Sequence, residues 1–176
     1  AFAGHIISAA GQAWSTLDMS LTGALRRLFT DAERNLRDWN RKSIAQHRVS
    51  IGMACFGRRG PQAVIAQAGP GAVFHLHAGR VFAYFADEEH GRPLGAAGPV
   101  EPQLTRIDFA PGDRVLLITT PALRELDDEL IGGILKLEGE RILAELFHRL
   151  QHLRNVSVLL VQKPRGRAST QVSDDD

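Results

Sequence analysis

Cysteine is almost absent from this chain: Cys55 is the single one among 176 residues. One thiol can form no disulfide within the chain and no thiolate metal site, which suits a reducing cytoplasmic compartment. Charge of one sign is also missing. Lys and Arg total 21 against 20 Asp and Glu, and a net charge of +1 gives no argument for nucleic acid or membrane as a partner. No apolar run approaches the ~18 residues of a membrane span. No secretory signal is visible. Residues 1–17 contain no acid, and the chain opens Ala1-Phe2-Ala3-Gly4 without Met, so a segment upstream is expected. No glycine-rich phosphate loop of the nucleotide-binding kinds is present.

What remains is ordinary globular material: 44% apolar, 23% charged, and long enough for one domain with its own core. Residues 6–19 and 20–42 read as helices. In the second, Leu21, Leu25, Leu28, Phe29, Ala32, Leu36 and Trp39 recur at helical spacing, and Ser20 or Thr22 can cap its start. Strands are predicted at 49–56, 62–68, 72–77 and 80–86. The short turns between them make these four consecutive antiparallel neighbours. After a polar loop at 87–103 come strands at 104–109 and 114–119, helices at 122–126, 127–137 and 139–152, and a last strand at 156–161. The runs at 114–118 and 156–161 are apolar throughout, as central strands covered on both faces are. The expectation is an α+β fold forming one domain over 1–163, with a polar, disordered tail at 164–176.

The residue pattern assembles no active site. His75 and His77 lie two apart on a strand and share a face. Such a pair can ligate zinc or iron if a third ligand arrives from elsewhere, with His5 and His90 as the loop-borne candidates. The plainer reading is a half-exposed strand face, so no metal is expected there. Asp87-Glu88-Glu89-His90 reads as a solvated loop, and Asp127-Asp128-Glu129 as acids at a helix start. Arg58-Arg59 is a charged hairpin tip able to meet a phosphate. Ser8, Ser15 and Ser50 have no patterned base nearby.

Four stretches, taken in order, resemble the metal-dependent (type 2C, PPM-type) serine/threonine phosphatases. They are IAQAGPGAVFHLHAGRVFAYFADEEHG at 65–91, PLGAAG at 93–98, FAPGDRVLLITTPALRELDDELIGGIL at 109–135 and LRNVSVLLV at 153–161. The third resembles that family's Pro-Gly-Asp, apolar strand, Ser/Thr-Asp-Gly-Leu segment. The fourth resembles its closing Asp-Asn strand. The resemblance implies two antiparallel sheets packed as a sandwich and flanked by helix pairs, with the family's first strands missing from this chain. It also implies a two-metal centre, manganese or magnesium, at one end of the sandwich. There, carboxylates hold the metals and a bridging water attacks the phosphoester.

Carried over residue by residue, that centre is depleted. Thr120 stands at the position of one metal-binding aspartate, and Arg154 at another, with Asn155 kept. Gly69-Pro70 replaces a Gly-Asp pair. Ala1-Phe2-Ala3-Gly4-His5 falls on the family's Gly-Gly-His stretch. The resemblance therefore implies a catalytically inactive regulatory or scaffold module. It would bind a protein partner, a phosphorylated one included, without a cofactor. Arg154, Asn155, Arg58 and Arg59 are its phosphate-binding candidates. An alternative is an active manganese- or magnesium-dependent phosphatase whose carboxylates come from Asp113, Asp127, Asp128 or upstream residues. A second is a small metal-binding domain using His75 and His77. Oligomeric state stays open.

Overall fold

The computed structural model describes residues 19–96 and 98–164. The helix expected at 6–19, apart from Met19, and the expected tail, apart from Pro164, lie outside the described residues, as do His5 and the other positions of 1–17.

Helix α1 (Leu21–Lys42) begins where Ser20 accepts a hydrogen bond from the Gly23 amide at 3.1 Å. Its end carries Arg41 and Lys42, the favourable sign for a helix C-terminus. Leu21, Leu25, Phe29, Ala32 and Leu36 make its buried stripe. Trp39, expected on that stripe, turns to solvent with 56% exposure. A short 3-10 turn, Ala45–His47, follows.

The strands are β1 (Met53–Arg59), β2 (Gln62–Ala68), β3 (Ala72–His77), β4 (Arg80–Phe85), β5 (Gln103–Ile107), β6 (Arg114–Ile118) and β7 (Val158–Gln162). They form two antiparallel sheets, ordered β1-β2-β5 and β4-β3-β6-β7. The sandwich implied by the resemblance is therefore present. The four consecutive neighbours are not, because β2 and β3 belong to different sheets. Gly69-Pro70-Gly71 is a crossover rather than a hairpin. Both glycines hold positive φ, +72° and +139°, and the proline offers no amide to a ladder. The β1–β2 turn is also tighter than expected, since Arg58 and Arg59 extend the strand and pair with Ala63 and Gln62.

Alternation along the strands sorts side chains into three layers. Val64, Ala66 and Ala68 of β2 face α1. Phe74 and Leu76 of β3, with Leu116 and Ile118 of β6, face helices α3 (Asp128–Lys136) and α4 (Arg141–Leu150). Ile65, Val73, Val115 and Leu117 fill the space between the sheets. Helix α2 (Thr120–Leu123) is one turn leading off β6. Arg114 ties α3 to β6 by donating to the carbonyls of Leu135 and Leu137 at the helix end.

Strand β6 is central, as its apolar run predicts. Strand β7 is terminal in its sheet among the described residues, and Leu159 is 58% exposed. An apolar run alone does not report how many sides a strand has covered. Strand β1 also starts later than expected. Residues before Met53 run along the surface, and Ile51 makes a single bridge to Leu94.

The crossover rests on Gly52. A Cβ placed there would meet the Pro70 carbonyl oxygen at 1.7 Å, so any side chain must push two backbone segments apart. Gly52→Ala is expected to cost about 1–3 kcal/mol. In urea unfolding the midpoint would fall with an unchanged slope; an unchanged midpoint would contradict this packing.

Candidate functional site

The crossover, the end of β6 and the start of β7 share one end of the sandwich. Register fixes this: Ala72 opposes Ile118, and Ile118 opposes Val158. A Cβ on Gly71 would lie 3.3 Å from the Ile118 carbonyl oxygen. Just beyond Ile118, Thr119 locks the two strands. Its hydroxyl accepts from the Ser157 amide at 3.0 Å and donates to the Ser157 carbonyl at 3.3 Å. Thr119 is also the N-cap residue of α2, but its hydroxyl makes no capping hydrogen bond there. Pro121 fits the first turn of α2, where no amide partner is needed.

Thr120, half-buried and first in α2, and exposed Arg154 and Asn155, just before β7, are thus brought to the same end of the sandwich. Asn155 holds φ +58°, a left-handed conformation that asparagine tolerates better than most residues. The Asp87–His90 loop joins this end, because the His90 carbonyl accepts from the Gly69 amide at 2.9 Å. Asp87 is already engaged: it accepts from the His90 amide at 2.9 Å and meets His90 Nδ1 at 2.6 Å. Those bonds, backbone first, hold its carboxyl below the usual range. Asp127 caps α3, accepting from the Leu130 amide at 2.8 Å, and Asp128 lies in that helix's first turn.

Arg58 and Arg59 are not brought to this end. They sit at the β1–β2 hairpin tip, at the start of β2, whereas the crossover leaves from its far end. Phe56, three residues before that tip, packs edge-on against Phe109, with ring centroids 4.9 Å apart, near the opposite end of β6. Arg59 donates to the Met19 carbonyl.

At that second end lies the only group of three or more His, Cys, Asp and Glu side chains within metal-sharing reach among the described residues: His75, His77 and Asp113. His75 and Asp113 are buried at 2% and 4% exposure, and His77 is half-buried. The two histidines share a face, as expected, but that face lines the space between the sheets rather than half-exposed surface. Among the described residues the side-chain partner is Asp113 and not His90. Asp113 Oδ2 lies 2.8 Å from His77 Nδ1 and 3.3 Å from His75 Nε2, and accepts from the Ala110 amide at 2.7 Å. The sequence offers Asp113 as a carboxylate for a displaced manganese or magnesium centre, not as the partner of His75 and His77. The available signal was strand parity: Leu76 opposes Arg114, so the next step puts His77 beside Asp113. Reading it required knowing that β3 pairs with β6.

Burial pushes the His75 imidazole below its usual value, despite the hydrogen bond to Asp113. Burial pushes Asp113 up, but hydrogen bonds from His77, the Ala110 amide and His75 outweigh it and leave the carboxyl low. Burial also pushes the Cys55 thiol up to about 12, which keeps it protonated and removes it as a nucleophile.

The lowered His75 value has a definite sign. The unfolded chain, with an imidazole near ~6.5, binds the proton that the folded chain refuses, so stability falls as pH drops through and below that value. The urea midpoint is expected to fall between pH 7.5 and 5.5, and by less in His75→Gln. Equal slopes in parent and variant would refute the assignment.

Among solved structures, the manganese-bound catalytic domain of the serine/threonine phosphatase PstP superimposes with a TM-score of 0.77 at 16% identity, over 90% of this chain and 79% of that one. Mycobacterium tuberculosis PstP/Ppp gives 0.75 at 17% identity, over 93% and 82%. PppA, a regulatory component of the T6SS in Pseudomonas aeruginosa, gives 0.73 at 19%, over 90% and 79%. No curated protein matches the sequence significantly. The fold is thus that of the PPM phosphatases. The family model for stage II sporulation protein E, SpoIIE, matches residues 1–175, and the chain belongs to that PPM-like phosphatase family.

Proposed function

We propose that this domain is a catalytically inactive PPM-like module that binds a protein partner through the strand-end surface at Thr120, Arg154 and Asn155. The observation that carries the reading is the pair of replacements at the two strand ends. A threonine hydroxyl and a guanidinium stand where the resemblance calls for carboxylates. Two hard dications need several anionic oxygens, and a guanidinium opposes their charge. Among the described residues no cluster of three acid or imidazole side chains lies at this end. The donors at this end among the described residues do not fit a manganese or magnesium pair, so no hydrolytic step is derived through one.

Arg154 suits a different task. A planar guanidinium can hold a phosphate through two parallel hydrogen bonds without any metal. Asn155 adds an amide beside it. Arg58 and Arg59 lie at the other end and are not part of this surface. The partner this chemistry favours is a phosphorylated protein segment.

Two measurements test the reading. Manganese titrated by calorimetry is expected to give no heat attributable to this end, in the parent or in Arg154→Ala; chelator-sensitive turnover of a chromogenic phosphoester would overturn inactivity. A phosphoserine peptide library is expected to yield binders that lose about tenfold in affinity with Arg154→Ala, the scale of one charged hydrogen bond. Binding that is indifferent to Arg154 or to phosphorylation would overturn the phosphate role.

A further inference from the structure

We infer that His75, His77 and Asp113 form a binding site for one divalent transition-metal ion of the zinc class, at the end of the sandwich opposite Thr120 and Arg154. The site stands apart from the proposed partner surface, and either assignment can fail without the other.

The donor set is right for such an ion: two imidazoles and a carboxylate, the ligand types zinc takes alongside thiolate. The three ligand atoms lie within 4.8 Å of one another. Two of the separations, 3.3 and 2.8 Å, are hydrogen-bond lengths to one oxygen, Asp113 Oδ2. A tetrahedral ion with bonds of about 2.1 Å sets its ligands about 3.4 Å apart. The two Asp113–imidazole separations would open by up to several tenths of an ångström, and the two imidazole nitrogens, within 4.8 Å of each other, would settle to the same spacing.

The ligands are also held in place. His75 and His77 sit on β3, paired on both sides by β4 and β6. Asp113 is fixed by the Ala110 amide, and by the Asp113 and Lys163 backbones, where the Lys163 amide donates to the Asp113 carbonyl at 3.0 Å. Charge favours a cation: the set carries the Asp113 anion, and Asp108 adds a second negative charge within electrostatic reach of His75. Lys163 Nζ is engaged by the Phe109 carbonyl, to which it donates at 2.7 Å. Access is available at His77, whose side chain is 33% exposed. Three protein ligands leave a fourth position for water.

Bound there, the ion would take over the role of the shared protons and clasp β3 to the turn before β6. Coordination through His75 Nε2 and His77 Nδ1 requires both nitrogens free of protons, so uptake releases protons and weakens at low pH.

The test is zinc titration of the chelator-stripped full chain by competition with a chromophoric chelator, paired with thermal melts. One zinc per chain, a raised melting temperature and at least a tenfold loss of affinity in His77→Ala are expected, with His148→Ala unchanged. Imidazole nitrogen NMR of the parent gives a readout independent of any variant: zinc should shift His75 Nε2 and His77 Nδ1. No stoichiometric uptake by the parent, undiminished uptake by His77→Ala, or unmoved His75 and His77 signals would overturn the site.

Discussion

Two backbones pass within contact distance where Gly52 meets Pro70, and the sandwich depends on that approach. The crossover it permits sends β3 into the second sheet instead of beside β2. Without it, β3 would compete with β5 for the side of β2 that β1 leaves open. From this single redirection follow the three layers of side chains and the placement of both strand-end groups. Helix α1 secures the same neighbourhood from outside: buried Glu33 accepts from the Gly95 amide at 2.7 Å, and Asn40 bonds Val49 and Gly95. A buried carboxylate and amide are thus satisfied by loop backbone, which fixes the loop without an ordered strand.

Periodicity revealed what lies within one element and missed what depends on neighbours. Helix α1, its cap and the apolar stripe were legible because each is a local matter of spacing and one hydroxyl. The split between β2 and β3 was not. A three-residue Gly-Pro-Gly connection has the length of a hairpin, and only the partners of β2 on both sides exclude β3. Strand β7 misled in a similar way. Its run of valines and leucines matches a buried strand, yet it ends its sheet among the described residues, leaving Leu159 exposed.

The two strand-end groups differ in the same respect. Thr120 and Arg154 could be singled out through the family resemblance, because their places after and before apolar strands match its motifs. The partner of His75 and His77 could not be found that way. Asp113 lies 36 residues from His77 in sequence, inside a Pro-Gly-Asp turn that explains itself locally. Its other role exists only in the β3–β6 register. Whether Arg58 and Arg59 lie beside Arg154 was likewise not legible, because it depends on the direction in which β2 runs.

Strand β6 carries one group at each terminus, and neither group sets how the strand sits. Val115, Leu116, Leu117 and Ile118 fix its register through the two layers they fill, and a one-residue slip would exchange those layers. The strand is therefore a spacer: the register of the sandwich is set by its middle, and the side chains beyond either terminus take no part in it.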